Sequence, residues 1–207
     1  MWRDRTEAGR ELAEELVRDG YADRTDVIVL GVPRGGVELA REVADRLGAP
    51  LDVVVVRKIG APGAPEFAAG AVDVDGNVQM NADAGVSRGW LERAAVPERA
   101  EALRRAALYR AGRPPLAVEG RTVIVVDDGI ATGLTATAAL RWLAGRGAAH
   151  TVIAAPVMPP EVARVLASEA DEVVTLECPR SFDAVGAFYD RFTQLSDDEV
   201  VHLLDRG

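Results

Sequence analysis

The chain has 207 residues, of which 48% are hydrophobic and 28% charged, and this composition supplies a packed core and excludes general disorder. A formal net charge of −9 argues against unspecific binding to nucleic acid or to an anionic membrane, although it leaves room for a local basic pocket that holds phosphate. One cysteine and two histidines exclude an internal disulfide and disfavour a structural zinc site, and a charged N-terminus without an apolar run of about 20 residues predicts a cytoplasmic protein.

The first half of the chain begins with alternating helical and extended patterns. Apolar spacing predicts an amphipathic helix over 3–19, and short β-branched runs predict strands buried on both faces. These strands cover 27–32 and 51–56, with a helix over 35–47 between them.

Glycine and proline interrupt this pattern over 57–70, which contains three glycines and two prolines. We therefore expect a mobile loop without regular structure there. Residues 71–80 alternate in polarity around an Asp-Gly pair, which is typical of a β-hairpin. Residues 88–112 are rich in Ala, Leu, Arg and Glu and predict a helix.

The second half returns to alternating strands and helices. Strands are predicted over 122–126, 151–157 and 172–176, a helix over 159–168, and a short final helix capped by Ser196. The whole order predicts an α/β fold with a doubly wound, mostly parallel sheet flanked by helices. Ligands of such sheets bind at the carboxyl ends of the strands.

The strongest motif follows the strand at 122–126, which delivers two adjacent acids to a short glycine- and threonine-containing loop before a helix. Backbone amides at a helix start have no internal acceptor and, with the helix dipole, favour a phosphate. Two carboxylates would repel that phosphate, whereas sugar hydroxyls would donate hydrogen bonds to them. The pattern predicts a site for a ribose 5-phosphate group, and a βα turn with incidental polar residues is the alternative. The predicted contacts come from Asp127, Asp128, Gly129, Ile130, Ala131, Thr132, Gly133, Leu134 and Thr135.

This stretch, VIVVDDGIATGLT, resembles the phosphoribosyl-diphosphate (PRPP) signature of type I phosphoribosyltransferases. The resemblance implies that Asp127 and Asp128 hold the ribose hydroxyls and that the amides of 129–135 bind the 5-phosphate. It also places a diphosphate loop after the first core strand, where Arg34 can bind in forked geometry. That loop consists of Pro33, Arg34, Gly35 and Gly36. A plain turn with a surface arginine is the alternative.

The resemblance also assigns roles after the second strand. It implies that Arg57 and Lys58 meet PRPP oxygens, although solvated charges at a strand end are the alternative. The segment 57–70 resembles the flexible catalytic loop of the family, which closes over the site and excludes water. Glu66 is its only acid and is a candidate base or a contact to the nucleophile.

The resemblance leaves the acceptor undefined. Ala131 stands where the 6-oxopurine enzymes of the family carry an acid, so transfer to a 6-oxopurine is disfavoured without adenine becoming the substrate. The lysine and histidine pattern of orotate-type enzymes is absent from 57–70. Three aromatic residues of the tail could stack on a flat base, or they could fill the gap between tail and core. They are Phe182, Tyr189 and Phe192.

We expect a single domain over 1–207, with a phosphoribosyltransferase-like core at about 26–177 and a small hairpin and helical hood from about 85–113 and 178–207. The resemblance implies an enzyme that transfers ribose 5-phosphate from PRPP to a nitrogen nucleophile, a nucleobase or related heterocycle, and releases diphosphate. A non-catalytic PRPP- or nucleotide-binding regulator is the main alternative, and a hydrolase or phosphorylase of ribose phosphates is a third.

The expected partners are PRPP and an unidentified acceptor. We expect Mg²⁺ to bind through PRPP, without direct protein ligands. Neither nucleic acid nor a membrane is expected as a partner, and a homodimer, which is common in the family, is allowed.

Overall fold

Buried β-branched runs form the strands and amphipathic segments form the helices in a computed structural model of the chain. It describes residues 1–205, without the side chain of Glu66. The strands are β1 (Val27–Gly31), β2 (Leu51–Val53), β3 (Val56–Ala61), β4 (Ala64–Asp73), β5 (Val78–Met80), β6 (Thr122–Val126), β7 (His150–Val157) and β8 (Glu172–Glu177). The helices are α1 (Arg5–Arg18), α2 (Gly35–Leu47), α3 (Arg88–Arg110), α4 (Leu134–Gly145), α5 (Pro160–Leu166) and α6 (Asp197–Leu204).

The central sheet is parallel and has the strand order β2-β1-β6-β7-β8. Residues of β1 and β6 are buried throughout, as strands covered on both faces require. One core cluster joins the sheet to α1 and α2, and a second joins its other face to α4 and α5. The predicted doubly wound sheet, flanked by helices, is therefore confirmed.

A second, antiparallel sheet has the order β3-β4-β5. The prediction of a mobile loop over 57–70 is wrong, because most of this segment forms β3 and β4, which pair with each other. The predicted strand over 51–56 also ends early, at Val53, and its last residue begins β3.

Glycines enable this pairing where the composition indicated a break. Gly63 has a φ of +77° in the tight turn between β3 and β4, a conformation that favours glycine. At the register shift beside it, a Cβ on Gly60 would lie 2.6 Å from the Pro65 carbonyl oxygen. The hairpin predicted over 71–80 is confirmed, and its turn is held by the Asp73 carboxylate, which accepts hydrogen bonds from the amides of 75–77.

Helices α3 and α6 cover the end of the central sheet at β2. They share an apolar cluster with Val37 and Val53, and Tyr109 of α3 donates a hydrogen bond to Asp197 of α6 over 2.7 Å. The predicted cap of α6 is confirmed, since Ser196 and Glu199 form a reciprocal capping box.

The two ends of the described chain are joined beside the carboxyl edge of the sheet. Trp2 pairs with Tyr189 in a parallel bridge, and its backbone exchanges hydrogen bonds of 2.8 Å with Phe188 and Asp190. Among residues 1–205, no helix combines the length and the apolar character needed to cross a membrane.

Candidate active site

A cleft of about 490 Å³ opens at the carboxyl ends of β1 and β6, the edge where a parallel sheet binds ligands. Eight residues from the predicted set line it: Pro33, Arg34, Gly35, Arg57, Lys58, Asp127, Asp128 and Thr135. Six others complete the wall: Arg5, Val32, Val56, Phe192, Gln194 and Leu195. The cleft thus combines three predicted segments with the N-terminal helix and the tail.

The loops after β1 and β6 pack directly on each other because these strands are neighbours in the sheet. A Cβ on Gly35 would lie 1.9 Å from Oδ2 of Asp128, and a Cβ on Gly36 would lie 2.6 Å from the Val126 carbonyl oxygen. Both glycines are therefore needed for the close approach of the two loops, beyond any role of their amides in binding an anion. The peptide bond between Pro33 and Arg34 is cis.

Two adjacent carboxylates, Asp127 and Asp128, lie at the end of β6. Burial raises the pKa of Asp127 well above its ordinary value, and the negative charge of Asp128 adds to the rise. The amide of Asp128 donates a hydrogen bond to Oδ1 of Asp127 over 2.9 Å. Burial also raises the pKa of Asp128, but a neighbouring arginine opposes this rise. The two carboxylates therefore have different surroundings: in the described structure only Asp128 has a cationic side chain in direct contact.

That partner is Arg5 of α1, a residue that the sequence analysis missed. Its Nε and Nη2 both lie 2.8 Å from Oδ2 of Asp128, and its Nη1 donates to the Thr193 carbonyl oxygen over 2.6 Å. Its guanidinium carbon lies 3.9 Å above the ring centroid of Phe192. The signal in the sequence was its position, since Arg5 falls on the same buried face of α1 as Leu12.

Helix α4 begins directly after the acid pair. Its cap, Gly133, has a φ of +75°, a left-handed conformation that glycine adopts without strain. The amides of 134–136 have no acceptor within the helix, and no residue in the described part of the chain accepts a hydrogen bond from them. The start of α4 can therefore bind an anion.

The predicted residues of this loop divide between the cleft and the core. Thr135 lines the cleft and Thr132 is exposed. Ile130 is buried in the core, and a Cβ on Gly129 would lie 2.5 Å from the Val185 side chain of the tail. The side chain of Ile130 therefore anchors the loop to the hydrophobic core and does not line the cleft.

The basic residues at the cleft lie near acids of the covering helices. Arg57 pairs with Glu98 of α3 over 2.9 Å, and Nη1 of Arg34 lies 3.8 Å from Asp197 of α6. The exposed side chain of Lys58 also lines the cleft. The side chain of Glu66 lies outside the described structure. An arriving anion would compete with two carboxylates for these arginines.

The tail aromatics pack on one another. Phe182 stacks on Phe188, and Phe192 stacks on Tyr189 with ring centroids 5.1 Å apart. Tyr189 is buried, which raises its pKa, and its hydroxyl donates to the Asp128 carbonyl oxygen over 2.6 Å. The ring of Phe192 already contacts Arg5 as well as Tyr189. These contacts favour a gap-filling role over base stacking.

The donor set around the cleft is small for a metal held by protein alone. Among residues 1–205, no three His, Cys, Asp or Glu side chains are close enough together to hold a metal ion.

Comparisons with known proteins agree with this geometry. The family model described as the phosphoribosyl transferase domain matches residues 2–190. Two Mycobacterium tuberculosis proteins, named "Putative phosphoribosyl transferase" MT0597 (strain CDC 1551) and Rv0571c (strain H37Rv), are each 48% identical over 214 aligned residues. The alignments cover 100% of this chain and 47% of each relative, so the chain spans about half their length.

Two solved structures are similar in fold. The crystal structure of TT1426 from Thermus thermophilus is 46% identical, with a TM-score of 0.83 over 99% of this chain and 97% of that one. The AQ2163 protein from Aquifex aeolicus, 13% identical, has a TM-score of 0.53 over 86% and 74% of the two chains and shows the fold alone.

Proposed function

The chain belongs to the phosphoribosyl transferase domain family, and on that premise we propose that it transfers the ribose 5-phosphate group of PRPP to a nitrogen nucleophile. The observation that carries this proposal is the convergence on one cleft of an acid pair, a helix N-terminus and basic side chains. These groups match the hydroxyls, the 5-phosphate and the diphosphate of PRPP respectively.

In this scheme the ribose phosphate is held by the acid pair and by the start of α4. Asp127 and Asp128 hold the ribose hydroxyls. The amides at the start of α4 and the hydroxyls of Thr132 and Thr135 bind the 5-phosphate. These contacts fix the anomeric carbon relative to the nucleophile, so much of the rate enhancement comes from positioning.

The diphosphate is the leaving group in this scheme. The bond between the anomeric carbon and the diphosphate oxygen breaks, and its electron pair leaves with the diphosphate. The nitrogen lone pair forms the new bond, and the proton of that nitrogen passes to the departing diphosphate or to water. Arg34, Arg57 and Lys58 offset the negative charge that grows on the leaving group. The ring carries positive charge in the transition state, which the nearby carboxylates stabilise.

Magnesium fits this site as an ion brought by the substrate. The carboxylates that line the described cleft, Asp127 and Asp128, are assigned here to the ribose hydroxyls, and Asp128 already accepts hydrogen bonds from Arg5, so oxygens of PRPP would hold the ion. When bound to PRPP, Mg²⁺ would neutralise diphosphate charge.

The acceptor is proposed to be a nucleobase or related heterocycle. Val32, Val56 and Leu195 supply apolar wall in the cleft, which suits a flat ring better than a strongly charged acceptor. The cytoplasmic location and a homodimer stay predictions.

Calorimetry with PRPP, in the presence and absence of Mg²⁺, tests the proposal. We expect saturable, Mg²⁺-dependent binding that is weakened at least tenfold when Asp127 and Asp128 are both changed to Asn. The control changes another adjacent acid pair, Asp171→Asn with Glu172→Gln. This pair lies where β8 begins, so it is at the amino ends of the parallel strands, away from the cleft at their carboxyl ends. Unchanged PRPP binding by the Asp127/Asp128 variant would overturn the ribose assignment.

Diphosphate release then separates an enzyme from a regulator. Release that depends on an added heterocyclic base supports the transferase, and release in water or phosphate alone supports a hydrolase or phosphorylase. Tight PRPP binding without release, across a panel of nitrogen acceptors, would favour the regulatory alternative.

A further inference from the structure

A buried cation lies behind the acid pair, outside the sequence segments assigned to the PRPP site. Arg5 is only 6% exposed, and two of its nitrogens converge on a single oxygen, Oδ2 of Asp128, both at 2.8 Å. The other carboxylate oxygen of Asp128, Oδ1, is not used by Arg5. This geometry fixes one oxygen of the carboxylate and leaves Oδ1 outside the contact with Arg5.

Several contacts hold Arg5 in this orientation. Its remaining guanidinium nitrogen, Nη1, donates to the Thr193 carbonyl oxygen, and its guanidinium lies over the Phe192 ring. On the far side of the acid, the Tyr189 hydroxyl donates to the Asp128 carbonyl oxygen. The side chain of Arg5 and the backbone of Asp128 are therefore both fixed by the tail.

The groups around Asp128 explain why a fixed cation is needed. Asp127 is adjacent to Asp128 on the same loop, and the two carboxyl groups interact directly; Glu38 of α2 interacts with both Arg5 and Asp128. Asp4 precedes α1, and Tyr189 reaches from the tail. Burial raises the pKa of both Asp127 and Asp128, while Arg5 lowers it. Arg5 thus offsets a surplus of buried negative charge.

Resting on the function proposed above, we propose that Arg5 is a positioning residue, which holds Oδ2 of Asp128 and thereby turns the second oxygen, Oδ1, towards a ribose hydroxyl of PRPP. In this role Arg5 acts through Asp128. An arginine suits this role better than a lysine because its planar fork fixes direction as well as charge. The N-terminal helix is thereby part of the substrate site.

The test uses the full chain with Arg5→Gln, which removes the charge, and Arg5→Lys, which keeps the charge but loses the fork. The control is Arg10→Gln on the same helix, because Arg10 is 65% exposed and pairs with Glu42. Two measurements are made on each variant: an NMR titration of ¹³C-labelled aspartate carboxylates, assigned with Asp128→Asn, and calorimetry with PRPP and with inorganic diphosphate across pH.

We expect Arg5→Gln to raise the pKa of Asp128 and to weaken PRPP binding at neutral pH at least tenfold. The loss of PRPP affinity at low pH should move to higher pH by about one unit or more, because the carboxylate must be ionised to accept hydroxyl hydrogens. Arg5→Lys should restore most of the pH profile but only part of the affinity. Binding of inorganic diphosphate should change little, since that anion lacks the ribose hydroxyls.

Two outcomes separate this proposal from the proposed function. If the unmodified protein binds PRPP and Arg5→Gln changes neither the affinity nor the titration of Asp128, the role of Arg5 is refuted while the function stands. If the unmodified protein does not bind PRPP, the function fails, and the NMR titration alone decides: a rise in the pKa of Asp128 supports the electrostatic role of Arg5, and no rise overturns it.

Discussion

Gly35→Ala is the substitution whose effect follows most directly from the structure. Gly35 is the first residue of α2, where alanine alone would favour the helix by up to about 1 kcal/mol. The new methyl group would, however, lie 1.9 Å from Oδ2 of Asp128 and 2.9 Å from Nε of Arg5, so the Arg5–Asp128 pair must separate. Breaking a buried ion pair costs about 3–5 kcal/mol, so the net loss of unfolding free energy is about 2–4 kcal/mol.

Thermal and urea unfolding measure this loss. For a domain of this size we expect the melting temperature to fall by roughly 5–15 °C, together with a loss of PRPP binding. The matched control is Gly89→Ala near the start of α3, where the nearest atom to the new Cβ is 3.6 Å away; this variant should be as stable as the original or slightly more so. A Gly35→Ala protein with unchanged stability and PRPP affinity would refute the close packing described for the two loops.

Three further substitutions test the electrostatics. Asp127→Asn should raise the unfolding free energy near neutral pH, and this gain should disappear as the pH falls. The reason is that folding raises the pKa of Asp127, so the ionised acid destabilises the native state only above the pKa that it has in the unfolded chain. Urea unfolding at acidic and at neutral pH checks the sign of the effect. Glu98→Gln should strengthen binding of inorganic diphosphate about two- to fivefold in calorimetry, since it releases Arg57 from a half-exposed pair; unchanged affinity would show that Arg57 does not reach the anion. Asp52→Ala should lower the unfolding free energy by about 3–5 kcal/mol, because it leaves Arg110 buried without the carboxylate that it now contacts at 2.9 and 3.0 Å; a loss below about 1 kcal/mol in urea unfolding would contradict a buried-pair role.

The central sheet and the acid pair were predictable because their signals are local. The helix expected over 35–47 has those bounds in the structure, since apolar spacing, a glycine start and a glycine end lie within one segment. The position of Asp127 and Asp128 at the cleft follows from the strand that precedes them. Neighbouring parallel strands then bring the Arg34 loop to the same edge without any further information.

The segment 57–70 was predicted wrongly because its structure depends on the pairing of β3 with β4, which no local sequence pattern reports. Glycine and proline weaken an isolated strand, but here they form the turn at Gly63 and the register shift at Gly60. Cross-strand hydrogen bonds and the packing of Ile59 and Val72 against α3 outweigh the local propensity. No count of breaker residues contains that information.

The role of Arg5 was missed for a related reason. Its partners Asp128 and Thr193 are 123 and 188 residues away in sequence, and no local periodicity reports such a contact. An arginine at the start of an amphipathic helix is usually solvated. Only its place on the apolar face of α1 distinguished it from Arg10, which is exposed.

The hydrogen bonds that join Trp2 and Arg5 to residues 188–193 also affect the order of events during synthesis. Helix α1 emerges from the ribosome well before residue 193, and its contacts with the tail cannot form until that residue has emerged. Contacts of such high sequence separation close large loops and slow folding. The nascent chain must therefore hold the charged guanidinium of Arg5 in solvent until residue 193 has emerged, and the wall of the cleft that Arg5 and Phe192 form together cannot be complete before then.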